Sequence, residues 1–151
     1  MLKEGDPAPD IRIRADTGEE FRLASLKGKR VVLYFYPRAD TPGCTTEACE
    51  FRDAIRAFAK KGAAIVGVSP DKPAQQTKFK QKYGLPFPLL ADENKEAAQA
   101  YGVWIEKNLY GKHVMGIVRT TFVIGPDGRI EKIYPNVKAK GHAQQVLADL
   151  S

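Results

Sequence analysis

At 151 residues, 43% hydrophobic and 28% charged, the chain has the make-up of a soluble globular protein and is expected to form a single domain over 1–151. Those proportions exclude a disordered tail and a collagen-like chain, and no run approaches the roughly 18 apolar residues of a membrane span. The net charge of +6 has no basic tail: Lys78, Lys80 and Lys82 alternate with Phe79, Gln81 and Tyr83, which describes a solvated helix face and not a nucleic-acid patch. The start, MLKEGDPAPD, has charges and prolines where a signal peptide needs a basic start and an apolar stretch, so a cytoplasmic location without a membrane partner is expected.

The first strong element is VVLYFY (31–36), apolar without alternation, as suits a strand buried on both faces. A helix is predicted over Cys44 to Lys61, because Ala48, Phe51, Ile55 and Phe58 recur at three- and four-residue steps and Gly62 stops it. AAIVGVS (63–69) is a second buried strand, which makes a βαβ unit with parallel strands. Ser69-Pro70-Asp71 offers caps for a helix running to Tyr83, with Gly84 as its stop, and Pro88-Leu89-Leu90 is a short strand before a helix over Asn94 to Tyr101. Residues 104–116 read as a loop. GIVRTTFVI (116–124), the turn Gly125-Pro126-Asp127-Gly128 and RIEKIY (129–134) make an antiparallel hairpin, and HAQQVLADL (142–150) is a closing helix. The fold class is α/β: a central mixed sheet, parallel at its centre, with helices on both faces and the site beyond the carboxyl ends of the parallel strands.

Pro37 to Cys44 falls at that edge. The chain's two cysteines, Cys44 and Cys49, lie within YPRADTPGCTTEACEFRD (36–53). In a reducing compartment such a pair is catalytic, redox-sensing or metal-binding, or else simply fills the core. Thr41 fits an N-cap and Pro42 the first helical position, so Gly43 and Cys44 enter the first turn. A thiolate there is stabilised by the positive end of the helix, which makes Cys44 a nucleophile candidate. Cys49 points about 140° away, and in a regular helix the two Cα atoms stand about 8.7 Å apart, beyond the roughly 7 Å limit for a disulfide. A bond between them therefore requires the helix to unwind: Cys44 is oxidised first to a sulfenic acid and Cys49 attacks as the turn opens.

The other polar residues are less specific. A zinc site needs four ligands, and His113 and His142 stand far off in sequence, where they read as surface or loop residues. Arg119 lies in the predicted strand 116–124, and the strand alone favours a solvent-facing guanidinium. If it faced the site it would hold a thiolate and a polar oxidant together. On their own, Thr41 is a helix cap, Pro37 a strand terminator and Glu47 a first-turn acid, while Trp104 and Tyr110 are aromatics without an assigned role.

Taken together, Pro37-x-x-x-Thr41-x-x-Cys44 with Arg119 and Cys49 in register resembles the active-site motif of peroxiredoxins, specifically the peroxiredoxin Q or bacterioferritin comigratory protein subgroup. The likeness extends through GDPAPD (5–10), LKGKRVVLYFYP (26–37), GVSPD (67–71), YGVW (101–104) and GIVRTTFVIGPDG (116–128). It implies a thioredoxin-like fold with an N-terminal extension, and reduction of hydrogen peroxide and organic hydroperoxides by a thiol without metal, heme or flavin. By the resemblance Cys44 is the peroxidatic cysteine. Thr41 and Arg119 bind thiolate and peroxide, Pro37 shields the pocket, and the N–H groups of Gly43 and Cys44 stabilise developing negative charge. Cys49 is the resolving cysteine, and thioredoxin or a similar dithiol protein reduces the Cys44–Cys49 disulfide of a monomer. The alternatives are a thioredoxin-like disulfide reductase and a non-enzymatic redox sensor or holdase. Against the first stand the Cys-x₄-Cys spacing and the lack of a proline opening the strand of Arg119.

Overall fold

The computed structural model, which describes residues 2–150, begins with a short antiparallel hairpin, β1 (Arg12–Arg14) and β2 (Glu20–Arg22), and a 3-10 turn at Leu23–Leu26. Strands of three residues are too short to show a periodicity, so neither is among the elements expected from the sequence. There follow β3 (Arg30–Phe35), α1 (Pro42–Asp53), α2 (Ile55–Lys60), β4 (Ala63–Ser69), α3 (Pro73–Tyr83), β5 (Leu89–Ala91) and α4 (Glu96–Ala100). The chain continues through β6 (Trp104–Leu109), β7 (Lys112–Ile117), β8 (Thr120–Ile124), β9 (Ile130–Tyr134) and α5 (His142–Asp149).

The main sheet has the order β5-β4-β3-β8-β9. β3, β4 and β5 run parallel, and β8 and β9 are antiparallel to their neighbours. Because β3 is central, both its faces are covered, which is why its sequence does not alternate. Val32, Tyr34 and Tyr36 pack with Ala48, Phe51, Phe58, Phe79, Ala143 and Val146 of the helices on one face. Val31, Leu33 and Phe35 pack on the other with α4, the N-terminal segment and the base of the β6–β7 hairpin. Tyr34 stacks on Phe51 with ring centroids 4.8 Å apart, and each such buried ring contributes about 1.5–3 kcal/mol. That contact presses α1 onto the sheet beside its carboxyl edge. Among the described residues no helix is long and apolar enough to cross a membrane.

Several expectations are corrected. The helix over 44–61 is two helices, starting at Pro42 and broken at Ala54 (φ −98°, ψ 6°). No glycine or proline marks the break, and Phe51, Ala54 and Phe58 are all buried, so the apolar stripe runs on across it. α3 begins at Pro73 instead of at Ser69-Pro70-Asp71, with the Lys72 N–H donating to Gln75 Oε1 at 3.0 Å. Residues 104–116 form most of a hairpin, closed by Tyr110 (φ 52°) and Gly111 (φ 77°), the pair of positive angles that a two-residue turn requires. Tyr110 is fully solvent-facing at its tip, and Trp104 packs on the face away from α1.

The predicted strand 116–124 is interrupted at Val118 and Arg119. The Val118 N–H donates to the Val103 carbonyl (2.9 Å) and the Arg119 carbonyl accepts from Val137 (2.8 Å), so neither group remains for the ladder. His142 is not a surface residue. Its ring is buried edge-on to Phe51 and Tyr134, with Nε2 2.7 Å from Thr121 Oγ1. Burial, helped by the charge of Arg119, pushes its pKa down to about 4, so it is neutral in the folded protein. His113 lies exposed on the hairpin beside Glu106, as expected.

Candidate active site

Where β3 ends, Tyr36 is still buried, and Pro37, without an N–H, cannot continue a ladder. The chain turns through Asp40 in the left-handed region (φ 60°) to Thr41, which holds the N-cap position with extended backbone. Pro42 is the first helical residue, and Cys44 lies in the first turn of α1 with its thiol buried. The helix terminus is therefore the roof over the sheet edge. Thr41 does not cap through its side chain: Oγ1 donates to the Arg38 carbonyl at 2.9 Å, which closes the loop in front of the helix.

Arg119 enters from the opposite side, from the two-residue link between β7 and β8. Its Nη2 lies 3.3 Å from Cys44 Sγ and its Nη1 donates to Glu47 Oε1 at 2.7 Å. The side chain is only 16% exposed, which overturns the solvent-facing reading of the strand pattern. The break in the strand is what turns the guanidinium inward. Gly43 leaves room for it, since a Cβ there would sit 3.1 Å from Nη2.

Glu47 is the residue that sequence reasoning left open. It is not a first-turn acid, since α1 starts at Pro42 and Glu47 is its sixth residue; it is 0% exposed and holds Arg119. Its second oxygen, Oε2, is buried without a hydrogen-bond partner among the described residues, as is Tyr34 Oη. Burial pushes the carboxyl up to about 7 against the pull of Arg119. A usable signal existed: three residues after Cys44 is the same side of a helix, so an acid there meets any cation brought to the thiol.

Cys49 is half-buried on the same helix, and both cysteines are free thiols. Pro37, Thr41, Gly43, Cys44 and Arg119 thus converge at one end of the sheet, while Cys49 stands one turn farther along α1. Chemically, the site offers a buried sulfur with a guanidinium beside it at a helix N-terminus, an arrangement that stabilises negative charge developing on an incoming oxygen.

Residues 4–133 match the AhpC/TSA family. The chain is 49% identical to the peroxiredoxin Bcp of Bacillus subtilis, over 99% of this chain and 98% of that protein. It superposes with a TM-score of 0.94 and 34% identity on a cysteine-to-serine variant of peroxiredoxin Q from Xylella fastidiosa, covering 99% of this chain and 96% of the other. Against the Xanthomonas campestris bacterioferritin comigratory protein, described with its alkyl peroxide reduction activity, the TM-score is 0.89 at 40% identity, over 93% of this chain and 89% of that one. The sheet and its helices are thus the thioredoxin-like fold of those structures. With likeness of this extent the chain belongs to the AhpC/TSA family, among the Bcp and peroxiredoxin Q peroxiredoxins, which are thiol peroxidases.

Proposed function

We propose that Cys44 is the peroxidatic cysteine and Cys49 its resolving partner. The observation that carries this reading is the approach of Arg119 Nη2 to Cys44 Sγ at 3.3 Å in the first turn of α1. The Cys44 thiolate attacks one oxygen of the peroxide, the O–O bond breaks, Cys44 becomes a sulfenic acid, and the departing oxygen leaves as water or an alcohol after taking up a proton. Arg119, the Thr41 hydroxyl and the N–H groups of Gly43 and Cys44 hold the negative charge that develops on that oxygen, and Pro37 limits access of water.

The Cys49 thiolate then attacks the sulfenic sulfur, releasing water and forming the Cys44–Cys49 disulfide. While α1 is wound the two Cα atoms are about 8.7 Å apart, so this step needs the helix to open. A dithiol protein of thioredoxin type then reduces the disulfide, itself becoming oxidised. The intrachain pairing needs no second copy, so the working unit is read as a monomer, acting in the cytoplasm on hydrogen peroxide and organic hydroperoxides. No metal, heme or flavin enters these steps.

Steady-state peroxide consumption with thioredoxin, thioredoxin reductase and NADPH tests the cycle. The native protein should turn over continuously. Cys49→Ser should react once at a rate near that of the native protein and then stall; undiminished turnover by that variant would remove Cys49 from the resolving role.

A further inference from the structure

Three buried polar side chains beside the site have no part in the chemistry above: Tyr36, Ser69 and Gln76. Gln76, on α3, is 0% exposed, and its amide is fully engaged. Its Oε1 accepts from Tyr36 Oη at 2.6 Å, and its Nε2 donates to Ser69 Oγ at 2.8 Å and to the Leu90 carbonyl at 2.9 Å. Ser69 Oγ in turn donates to Asp71 Oδ2 at 2.6 Å, and the same carboxylate oxygen accepts the Ala39 N–H at 2.7 Å. The backbone from Tyr36 through Pro37 and Arg38 to Ala39 closes these bonds into a ring. Inside it lies the Arg38 carbonyl that receives the Thr41 hydroxyl. The next residue, Asp40, accepts from Lys82 Nζ and Tyr83 Oη, both at 2.9 Å, so the loop is tied to α3 a second time.

A satisfied buried hydrogen bond adds only about 1 kcal/mol net, and a leucine and a phenylalanine in place of Gln76 and Tyr36 would fill the same space without desolvating an amide and a phenol. What apolar groups do not supply is direction. A closed set of oriented bonds fixes the backbone of 36–39, and with it the height of Pro37 and Thr41 over the thiol, more narrowly than packing alone. Misplacing such groups by about 1 Å is enough to cost large factors in rate.

We propose that Gln76 is the hub of a positioning ring, Tyr36–Gln76–Ser69–Asp71–Ala39, that holds the Pro37–Thr41 loop in register with Cys44 and Arg119. The ring makes the wound site fast toward peroxide. This rests on the reading of Cys44 as the peroxidatic residue.

The test uses the double variant Tyr36→Phe/Gln76→Leu, which removes both partners of the Tyr36–Gln76 bond together, and separately Asp71→Leu. Asp71 is half-buried at the loop edge, and Leu keeps its volume while removing the oxygen that accepts both ring bonds, so the outcome does not hang on folding of the double variant. Two rates are measured at Cys44 by mass spectrometry: oxidation by hydrogen peroxide, and alkylation by iodoacetamide, which needs only a reachable thiolate. In folded variants melting within a few degrees of the native protein, oxidation should fall about tenfold while alkylation holds or rises. Peroxide oxidation within twofold of the native rate, or an equal fall with both reagents, would overturn the ring. A native protein that does not oxidise at Cys44 would instead contradict the peroxidatic reading, before any variant is compared.

Discussion

Cys44 and Cys49 lie five residues apart on one helix, in opposite surroundings. The first is buried, at the helix N-terminus, with Arg119 3.3 Å from its sulfur and Gly43 keeping the approach open. The second is half-exposed one turn farther on, away from that cluster. The difference teaches that the site is assembled around one thiol: the helix N-terminus and Arg119 meet at Cys44, and on the reading proposed above Cys49 reaches that sulfur only after the helix opens. A disulfide framework would instead place both sulfurs within bonding reach.

The largest effect expected is on the buried thiol. Cys44→Ser should abolish peroxide consumption, because a serine hydroxyl at neutral pH is neither ionised nor reducing; retained turnover in a coupled assay would give the chemistry to another residue. Next comes its cation. Arg119→Ala should lower the rate constant of Cys44 oxidation by about a hundredfold to a thousandfold, as expected for loss of a charged donor at the reacting atoms, whereas iodoacetamide at Cys49 should react as before. Equal changes at both cysteines would dissolve the contrast.

A smaller effect is expected at Gly43. Gly43→Ala places a Cβ 3.1 Å from Arg119 Nη2, which Glu47 holds from behind, so oxidation of Cys44 should slow about severalfold with little change in melting. The smallest concerns stability. The folded protein holds Glu47 at about 7, above its ordinary 4.5, so between those values the native state binds more protons than the unfolded chain. Its stability must therefore fall as pH rises through that window, by up to about 3 kcal/mol. Glu47→Gln keeps an acceptor for Arg119 and removes the titration. Urea unfolding should show the variant gaining on the native protein from pH 5 to pH 8; a gap that does not grow with pH would mean that Glu47 is not held protonated.

Much of this was legible in the sequence. The βαβ unit around 31–69 was visible because buried strands and the apolar helical stripe of Ala48, Phe51, Ile55 and Phe58 have distinct periods, and Thr41-Pro42-Gly43 marks a helix start by backbone chemistry alone. The inward turn of Arg119 was not legible from its strand. It depends on backbone bonds from Val103 and Val137, distant in sequence, which divert the ladder at Val118 and Arg119. His142 was misjudged, and Glu47 left without a role, for the same reason. A charged or titratable side chain is exposed by default, and only the tertiary partners, Arg119 and Thr121, make burial tolerable. The short β1–β2 hairpin escaped because its strands have three residues each, and the β6–β7 hairpin because Tyr110, at the first position of its turn, is not a residue that marks such turns.

The central claim is that one helix keeps two thiols apart until the first has been oxidised. Mass spectrometry of the protein at successive times after one equivalent of hydrogen peroxide tests it most directly. The account predicts a sulfenic acid on Cys44 first, then loss of water as a Cys44–Cys49 link forms, with no early oxidation at Cys49. A first oxidation at Cys49, or a disulfide joining two chains in place of the internal link, would contradict it.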